Sequence, residues 1–580
     1  MKRLQFIYKI VFISSLFFAV SCSKDLDKTN ENPNGVNPST ANPNLLMAGI
    51  QSGFANNYLG LGYGKISGVI QHMQEDGWYS GYNSFDWSEE DWSGYYGLLR
   101  NNEFMYERAV ELGNKFHEGV ALTMRGFIFG TIADLWGDAP YTDALKGDED
   151  LLYPSYDSQE TIYKGVLDDL KAAAGAFAST GDNSSYYASG YDIYYDGNVT
   201  AWQKFTNSLI LRFSMRLSEK LPDLAKSNIE AVYSSGIYIK DPSEDATMDF
   251  DGIPPGSAWP GNTENDPSES NWRRRKPCQT LIAKLNAYDD PRRDVWFQPV
   301  HCRWVADATL SVQVDPYIRE GGVLTSLVSL PESDLSGGTN GYKQQIAAGK
   351  VYTRRFNPNT YVPNAPFNTE APDTNEYVGI PPARLYPDYY NNNPTSGQSV
   401  QNQHVSQLSY LFQNKDDGKN GFLKARLATA VESAFILAEA AQKGWAAGSA
   451  ENHYNDGIRF SLTNWGVEDG YGDYITTAGV AFDGSLAQII EQKWIAGFTS
   501  ALEPWFDFRR TGFPALVAGN ASARPQVAVR LIYGQNELNR NTENSSAAIN
   551  GIENNFSTDP RGKNSQWGKP WLLQGTGKPW

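Results

Sequence analysis

Residues 490–514 read IEQKWIAGFTSALEPWFDFRRTGFP, and this stretch carries both a helical stripe and a run of charged and aromatic residues. Just before it, Ser485 and Gln488 form a capping-box pattern ahead of Leu486. Leu486, Ile489, Ile490, Trp494 and Phe498 recur at helical spacing. The pattern predicts an amphipathic helix whose apolar side packs on other helices.

Similar stripes occur on both sides of this stretch along the chain. An acidic cap at Asp157-Ser158-Gln159-Glu160 precedes a stripe of Ile162, Val166, Leu170, Ala173 and Phe177. Two others are Trp202, Phe205, Leu209, Phe213 and Leu217, and Val431, Phe435, Ala438 and Ala441. The sequence therefore predicts a mainly α protein with a helical frame at about 44–240 and 422–515.

Between about residues 241 and 421 the composition changes to segments rich in Pro, Gly and Asn, which break helices. This part still contains many rings, among them Tyr361 and Tyr386, and rings argue against disorder. We interpret it as a loop-rich binding region on the helical frame, all within a single domain at 44–580.

Composition excludes some classes of protein. The 580 residues hold 49 Lys and Arg against 66 Asp and Glu, a net charge of −17, which argues against binding to nucleic acid. Three cysteines are too few for a disulfide scaffold, and the pairing of Cys278 with Cys302 stays open. The 13% of aromatic residues is high for so acidic a chain.

The N-terminus has the layout of a signal peptide, with Lys2, Arg3 and Lys9 around an apolar run that ends at Ser21. The next residue, Cys22, stands as in the lipobox of bacterial lipoproteins, whose cysteine is lipidated. We expect residues 1–21 to be removed and 22–43 to form a flexible lipidated tether.

Four further segments carry a family resemblance. They are Asp134-Leu135-Trp136-Gly137-Asp138-Ala139-Pro140-Tyr141, Asp192 to Gly197 leading into Trp202, Glu432 to Ala440, and Ile490 to Ile495 followed by Trp505 to Pro514. In this order, together with Cys22, they resemble the SusD/RagB family of outer-membrane nutrient-binding lipoproteins, in its second SusD-like branch. A later segment, Arg530 to Glu537, resembles the closing motif of the family but has Gly534 where proline is usual.

The resemblance implies a scaffold of tetratricopeptide-like helix pairs with irregular loops packed on it, and no catalysis. It also implies a location at the outer membrane, facing the cell exterior and held by lipid alone. The implied partner is a SusC-like TonB-dependent β-barrel transporter, over which the protein sits as a lid. The implied ligand is an oligosaccharide, or in some members a peptide.

Candidate ligand-binding rings come from two places. The segment 77–96, GWYSGYNSFDWSEEDWSGYY, favours Trp78, Tyr79, Tyr82 and Trp87 as a platform on which sugar rings stack, or as rings that cap the core. In the same segment we expect Trp92, Tyr95 and Tyr96 to be core. The loop region adds Trp259, Trp272, Trp296 and Trp304, interleaved with arginines that suit hydroxyl recognition or a basic face toward the transporter.

Structural roles are predicted for the remaining motif residues. Trp136, Trp202, Trp494 and Trp505 lie on or beside apolar stripes, and Asp134, Asp138, Glu491, Arg509 and Arg510 are expected to pin helices to loops. Tyr194 and Tyr195 are also expected to be structural.

A surface glycosidase is the enzymatic alternative, because an acidic chain contains many carboxylate pairs at the required separation. No GxSxG, HExxH, P-loop or paired CxxC motif occurs. We expect no cofactor. Calcium stays an open alternative near Asp182-Asn183-Ser184 or Asp192 and Asp196, although neither matches the twelve-residue calcium loop.

Overall fold

A computed structural model describes residues 42–77, 80–180, 190–250, 252, 258–261, 270–326, 328, 330, 348–394, 402–413, 421–554, 560–578 and 580. Its described α-helices are α1 Pro43–Tyr63, α2 Lys65–Val69, α3 Ser93–Glu111, α4 Lys115–Trp136, α5 Gln159–Thr180, α6 Val199–Arg216, α7 Pro222–Ser235, α8 Ser270–Arg274, α9 Gln279–Tyr288, α10 Arg292–Trp296, α11 Ala430–Gln442, α12 Ala450–Asn464, α13 Tyr471–Tyr474, α14 Leu486–Ala496, α15 Leu502–Thr511, α16 Gln535–Arg540 and α17 Thr542–Gly551.

The described strands are short: β1 Met73–Glu75, β2 Ala246–Met248, β3 Arg275–Pro277, β4 Phe297–Gln298, β5 Cys302–Ala306, β6 Arg319–Glu320, β7 Val323–Leu324, β8 Tyr352–Phe356, β9 Gln407–Leu408 and β10 Ala425–Ala428. The mainly α class is thus confirmed. Each stripe predicted from the sequence follows a helix, and its apolar residues are buried except Ala441 and Leu486, which are half-buried. Ser485 caps α14 by accepting a hydrogen bond from the Gln488 backbone amide.

Consecutive helices pack as pairs, in the manner of tetratricopeptide repeats. Helix α4 lies against α3, α5 and α6 and is buried along most of its length. It approaches its neighbours closely because glycines face them: a Cβ on Gly130 would lie 2.3 Å from the Phe213 ring, and one on Gly126 3.2 Å from Leu170. Small residues on α4 therefore set the spacing of the frame.

A buried charge network ties the family motifs together. Its carboxylates and cations, none more than 13% exposed, are Asp134, Glu432, Glu439, Glu503 and Asp507 on one side, and Arg212, Arg216, Lys493, Arg509 and Arg510 on the other. The five acids and five cations balance in charge, which is what keeps such a buried network tolerable.

The network changes the pKa of Asp507. Burial alone would raise the pKa of Asp507, but the charges of Lys493 and Arg510 lower it to about 2. Asp134 accepts hydrogen bonds from Tyr163 Oη at 2.7 Å and from Arg216. The predicted structural roles of Asp134, Arg509 and Arg510 agree with these contacts.

The region 241–421 is more regular than the expected loops. It holds helices α8 to α10 and a four-stranded sheet in the order β5-β8-β6-β7, in which β5 and β8 are parallel and the other pairs antiparallel. The strands have two to five residues, too few to show an alternating pattern in the sequence.

Candidate functional site

Three aromatic side chains meet on the surface of the loop-rich region. The ring of Phe367 stacks on Tyr389 at a centroid distance of 4.4 Å and meets Tyr386 edge-on at 5.2 Å. Tyr386 is 38% exposed, whereas Phe367 and Tyr389 are half-buried. We call these three residues the aromatic face. An exposed ring that packs on a second ring, itself stacked on a third, is suited to stack on the apolar face of a sugar.

A polar cavity of about 230 Å³ adjoins the aromatic face. Its lining is Gln279, Asn368, Thr369, Glu370, Ala371, Asp373, Arg384, Tyr390 and Asn391. The two features are physically linked, because the Arg384 guanidinium donates to the backbone carbonyl of Phe367 and lies over the Tyr390 ring at 4.9 Å. A few polar groups beside an aromatic surface are typical of a small-molecule site.

Both a donor and an acceptor face this cavity. The Arg384 side chain belongs to the lining and is half-buried, and burial lowers its pKa. Glu370 is exposed and belongs to the same lining. A hydroxyl group both donates and accepts, so one Arg and one Glu side chain can satisfy it.

The backbone that carries these residues is strained. Ala383, Tyr386, Asn391 and Asn392 all have φ between 44° and 55°, in the left-handed region that non-glycine residues seldom adopt. Such strain tends to concentrate at functional sites, where surrounding contacts hold it.

Trp304 is buried beneath the segment that contains Asn391 and is not on the surface. It is 1% exposed, and its indole N–H donates to the Asn391 carbonyl at 2.8 Å. Its ring stacks on His404 at 4.6 Å. The prediction that Trp304 contacts a ligand is therefore wrong for this structure, since a side chain so enclosed presents no face to a sugar.

The same correction applies to the other loop tryptophans. Trp259, Trp272 and Trp296 are 0–1% exposed. Trp259 packs on Tyr63, Trp272 stacks on Tyr410, and Trp296 stacks on Phe498. They are core rings that join the region 241–421 to the frame. The sequence did not indicate their burial, because the short strands of this region show no periodic pattern.

The segment 77–96 also has a different role from the predicted platform. Trp78 and Tyr79 lie outside the described residues. Trp87 is 4% exposed and meets the core ring of Trp505 at 6.3 Å, so it is not a platform. Tyr82 is half-buried, and its ring fills the space beside Gly68. The predictions for Trp92 and Tyr95 are confirmed, since they are 6% and 5% exposed.

Tyr194 and Tyr195 have structural roles, as expected. Tyr194 is buried and donates to the Gln51 carbonyl, and Tyr195 packs on Trp202 at 5.9 Å. Both oxygens of Asp192 accept hydrogen bonds, including one from the Trp202 indole at 2.7 Å. Residues 182–184, the other calcium candidate, lie outside the described residues. Among those described, no group of three His, Cys, Asp or Glu side chains could hold a metal ion.

Sequence reasoning missed Phe367, Tyr389 and most of the cavity. The signal was present in PNAPFN at 363–368 and YPDYYNNN at 386–393, where rings alternate with Pro and Asn. Nothing in the spacing shows that these two stretches meet.

Comparison with known proteins identifies the family. The family model SusD-like, described as "Starch-binding associating with outer membrane", matches residues 34–306 and 373–534. The chain belongs to the SusD-like family.

Solved structures agree with this fold. An outer membrane protein from Bacteroides vulgatus, whose description links it to nutrient binding, is 23% identical with a TM-score of 0.67, over 92% of this chain and 100% of that one. A SusD homologue from Bacteroides fragilis is 18% identical with a TM-score of 0.68, over 92% and 100%. A chitin-binding protein is 21% identical with a TM-score of 0.63, over 93% and 100%. No curated protein matched.

Membership in the SusD-like family confirms the resemblance read from the motifs and places the chain among carbohydrate-binding proteins of the outer membrane. No described helix is both long and apolar enough to cross a bilayer. Cys22 and the predicted signal segment lie outside the described residues. Cys278 and Cys302 are free and buried, and burial raises the pKa of each thiol to about 12.

Proposed function

We propose that the protein is a lipid-anchored protein on the outer face of the outer membrane that captures an oligosaccharide and delivers it to a SusC-like TonB-dependent β-barrel transporter. The capture site is the aromatic face with the polar cavity beside it. The protein binds and releases its ligand without turnover.

The observation that supports this proposal is the pairing of an exposed ring with polar groups. Tyr386 lies against Phe367 and close to the cavity that contains Glu370 and Arg384. The face of a sugar ring carries C–H groups and its edge carries hydroxyls, so it needs a flat apolar surface bordered by donors and acceptors. Starch in the family description and chitin in the name of one structural neighbour are both polysaccharides.

Isothermal titration of the mature chain, with Cys22→Ser to prevent lipidation, tests capture against hexasaccharides of glucose, N-acetylglucosamine and xylose. Tyr386→Asn should weaken binding at least about tenfold, equivalent to about 1.4 kcal/mol. Asparagine tolerates the left-handed backbone at this position, so the fold is kept.

Tyr317→Asn is the matched control, since Tyr317 is similarly exposed at 43% but lies outside the site. Equal affinity in Tyr386→Asn and the parent would remove the aromatic face from the binding site. Binding of peptides and of no saccharide would overturn the choice of ligand. Delivery is tested separately by purification of the lipidated chain from outer membranes, in which a β-barrel transporter should accompany it.

A further inference from the structure

A second concave site lies on the helical frame, built from residues that the aromatic face does not use. It is a cleft of about 570 Å³ between three segments of the chain, residues 89–100, 140–154 and 534–540. Its lining includes Trp92, Gly97 and Arg100 from the first segment, Pro140 and Leu145 from the second and Arg540 from the third. We call it the frame cleft.

Trp92 lines the frame cleft as a largely enclosed ring. Its ring packs between Tyr96, Trp136 and Tyr533 at centroid distances of 5.6 to 5.7 Å, and the side chain is 6% exposed. The indole N–H nevertheless donates to no acceptor among the described residues. The indole N–H is therefore a donor that a ligand or water can use.

The acceptors of the frame cleft are already engaged by the protein. Glu89 accepts from the Gln535 amide at 3.1 Å, and Glu90 pairs with Lys65. Asp91 accepts from the amide and hydroxyl of Ser93. In the same way Glu537 accepts from the hydroxyl of Tyr156 at 2.7 Å.

The donors are not engaged. Arg100 and Arg540 are exposed at the frame cleft, and in the described part of the chain neither forms an ion pair or a hydrogen bond. Together with the Trp92 indole they leave guanidinium and N–H donors facing a cleft whose carboxylates outnumber its arginines. Unused donors favour a ligand rich in oxygen, and the excess of negative charge disfavours an anion.

The opposite wall is apolar and strained. Pro140, Ala144, Leu145 and Pro154 line it. Leu145 has φ of 68°, a left-handed conformation that is costly for a bulky side chain and is found where surrounding structure enforces it.

We propose that the frame cleft is a second saccharide subsite that binds a neutral oligosaccharide, with its hydroxyl oxygens accepting from Arg100, Arg540 and the Trp92 indole. This proposal rests on the carbohydrate-binding function proposed above. The volume of the cleft, about 570 Å³, lies within the range of roughly 300–1,000 Å³ that is typical of small-molecule sites.

Filling the frame cleft tests the proposal without disturbing the core. Gly97 lines the cleft on helix α3, and a Cβ there would have no heavy atom within 4 Å. Gly97→Leu therefore occupies the space meant for the saccharide while improving helix propensity. Gly175→Leu on α5 is the matched control, because Gly175 is also helical and its Cβ position is equally open.

Isothermal titration with the same three hexasaccharides should show two sites per parent chain for the saccharide that binds. Gly97→Leu should remove binding at the frame cleft, and Gly175→Leu should leave both sites unchanged. Tyr386→Asn should weaken binding at the aromatic face. The double variant Arg100→Ala with Arg540→Ala should weaken the cleft site at least about tenfold, as expected for lost charged hydrogen bonds.

The outcomes separate the two proposals. One site per chain that Tyr386→Asn weakens and Gly97→Leu leaves unchanged would overturn the frame cleft and keep the proposed function. Loss of the only site in Gly97→Leu, with Tyr386→Asn unchanged, would move capture to the cleft and remove it from the aromatic face. Absence of binding by all three saccharides would overturn both.

Discussion

The pair of Arg510 and Glu439 offers a direct test of the buried charge network. The two guanidinium nitrogens of Arg510 reach the two carboxylate oxygens of Glu439 at 2.5 and 2.6 Å, and both side chains are at most 2% exposed. Removing one partner leaves a buried charge without its match, which typically costs about 3–5 kcal/mol. We expect Glu439→Leu and Arg510→Met each to lower the free energy of unfolding by about that amount.

The double variant should be more stable than either single one. Removing Glu439 and Arg510 together keeps the network neutral, and Asp507 still pairs with Lys493 at 2.7 Å. Well-packed apolar replacements of a buried pair are often close to neutral. The coupling energy in the double-mutant cycle should therefore be at least about 2 kcal/mol.

Equilibrium unfolding in urea, followed by circular dichroism, measures the three free energies. Asp456→Asn is the reference, because its pair with Arg459 is also short, at 2.7 Å, but both side chains are 43% exposed. That variant should change stability by less than about 1 kcal/mol. Additive losses in the cycle, or losses for Glu439→Leu no larger than for Asp456→Asn, would refute the reasoning.

Three further predictions concern other parts of the fold. Gly130→Ala would place a Cβ 2.3 Å from the Phe213 ring and should destabilise by about 1–3 kcal/mol in thermal melts, and an unchanged melting temperature would contradict the close packing of α4. Burial raises the pKa of Asp76 to about 6, although the nearby charge of Lys276 acts to lower it. The folded state therefore holds the proton more tightly than the unfolded state. Asp76 therefore contributes stability below about pH 4 that is lost as pH rises to about 6, and Asp76→Asn should flatten this fall in pH-dependent urea titrations. Gly534 has φ of −72°, which suits proline, so Gly534→Pro should stabilise by about 0.5–1 kcal/mol, and a lower melting temperature would count against it.

The frame was predictable because its signals are local. Trp136, Trp202 and Trp494 fall at helical spacing with other apolar residues, and all three are at most 1% exposed. Apolar residues that recur every 3.6 residues show which face of a helix is buried. The loop region lacks that period, so the sequence does not show whether Trp304 is exposed. In the structure its indole N–H is buried and donates a hydrogen bond to the Asn391 carbonyl.

The candidate site was less predictable because it forms between distant stretches. Phe367 and Tyr389 stack at 4.4 Å although 21 residues separate them. No helix or strand lies between residues 368 and 385, so no periodic pattern in the sequence predicts that the two rings meet. Sequence could indicate that 241–421 carries rings on a surface. It could not show which rings are exposed, since that depends on how the segment folds back on itself.

The span of the charge network along the chain has a consequence for the order of folding. Asp134 and Arg216 come from the first half of the sequence, whereas Glu503 and Arg509, which complete their pairing, come almost 300 residues after Arg216. An N-terminal fragment would contain Arg212 without Glu432 and Glu503, and Arg216 with Asp134 but without Glu503. We expect the helical frame to become stable only once α15 is present, so the chain folds late and as one cooperative unit.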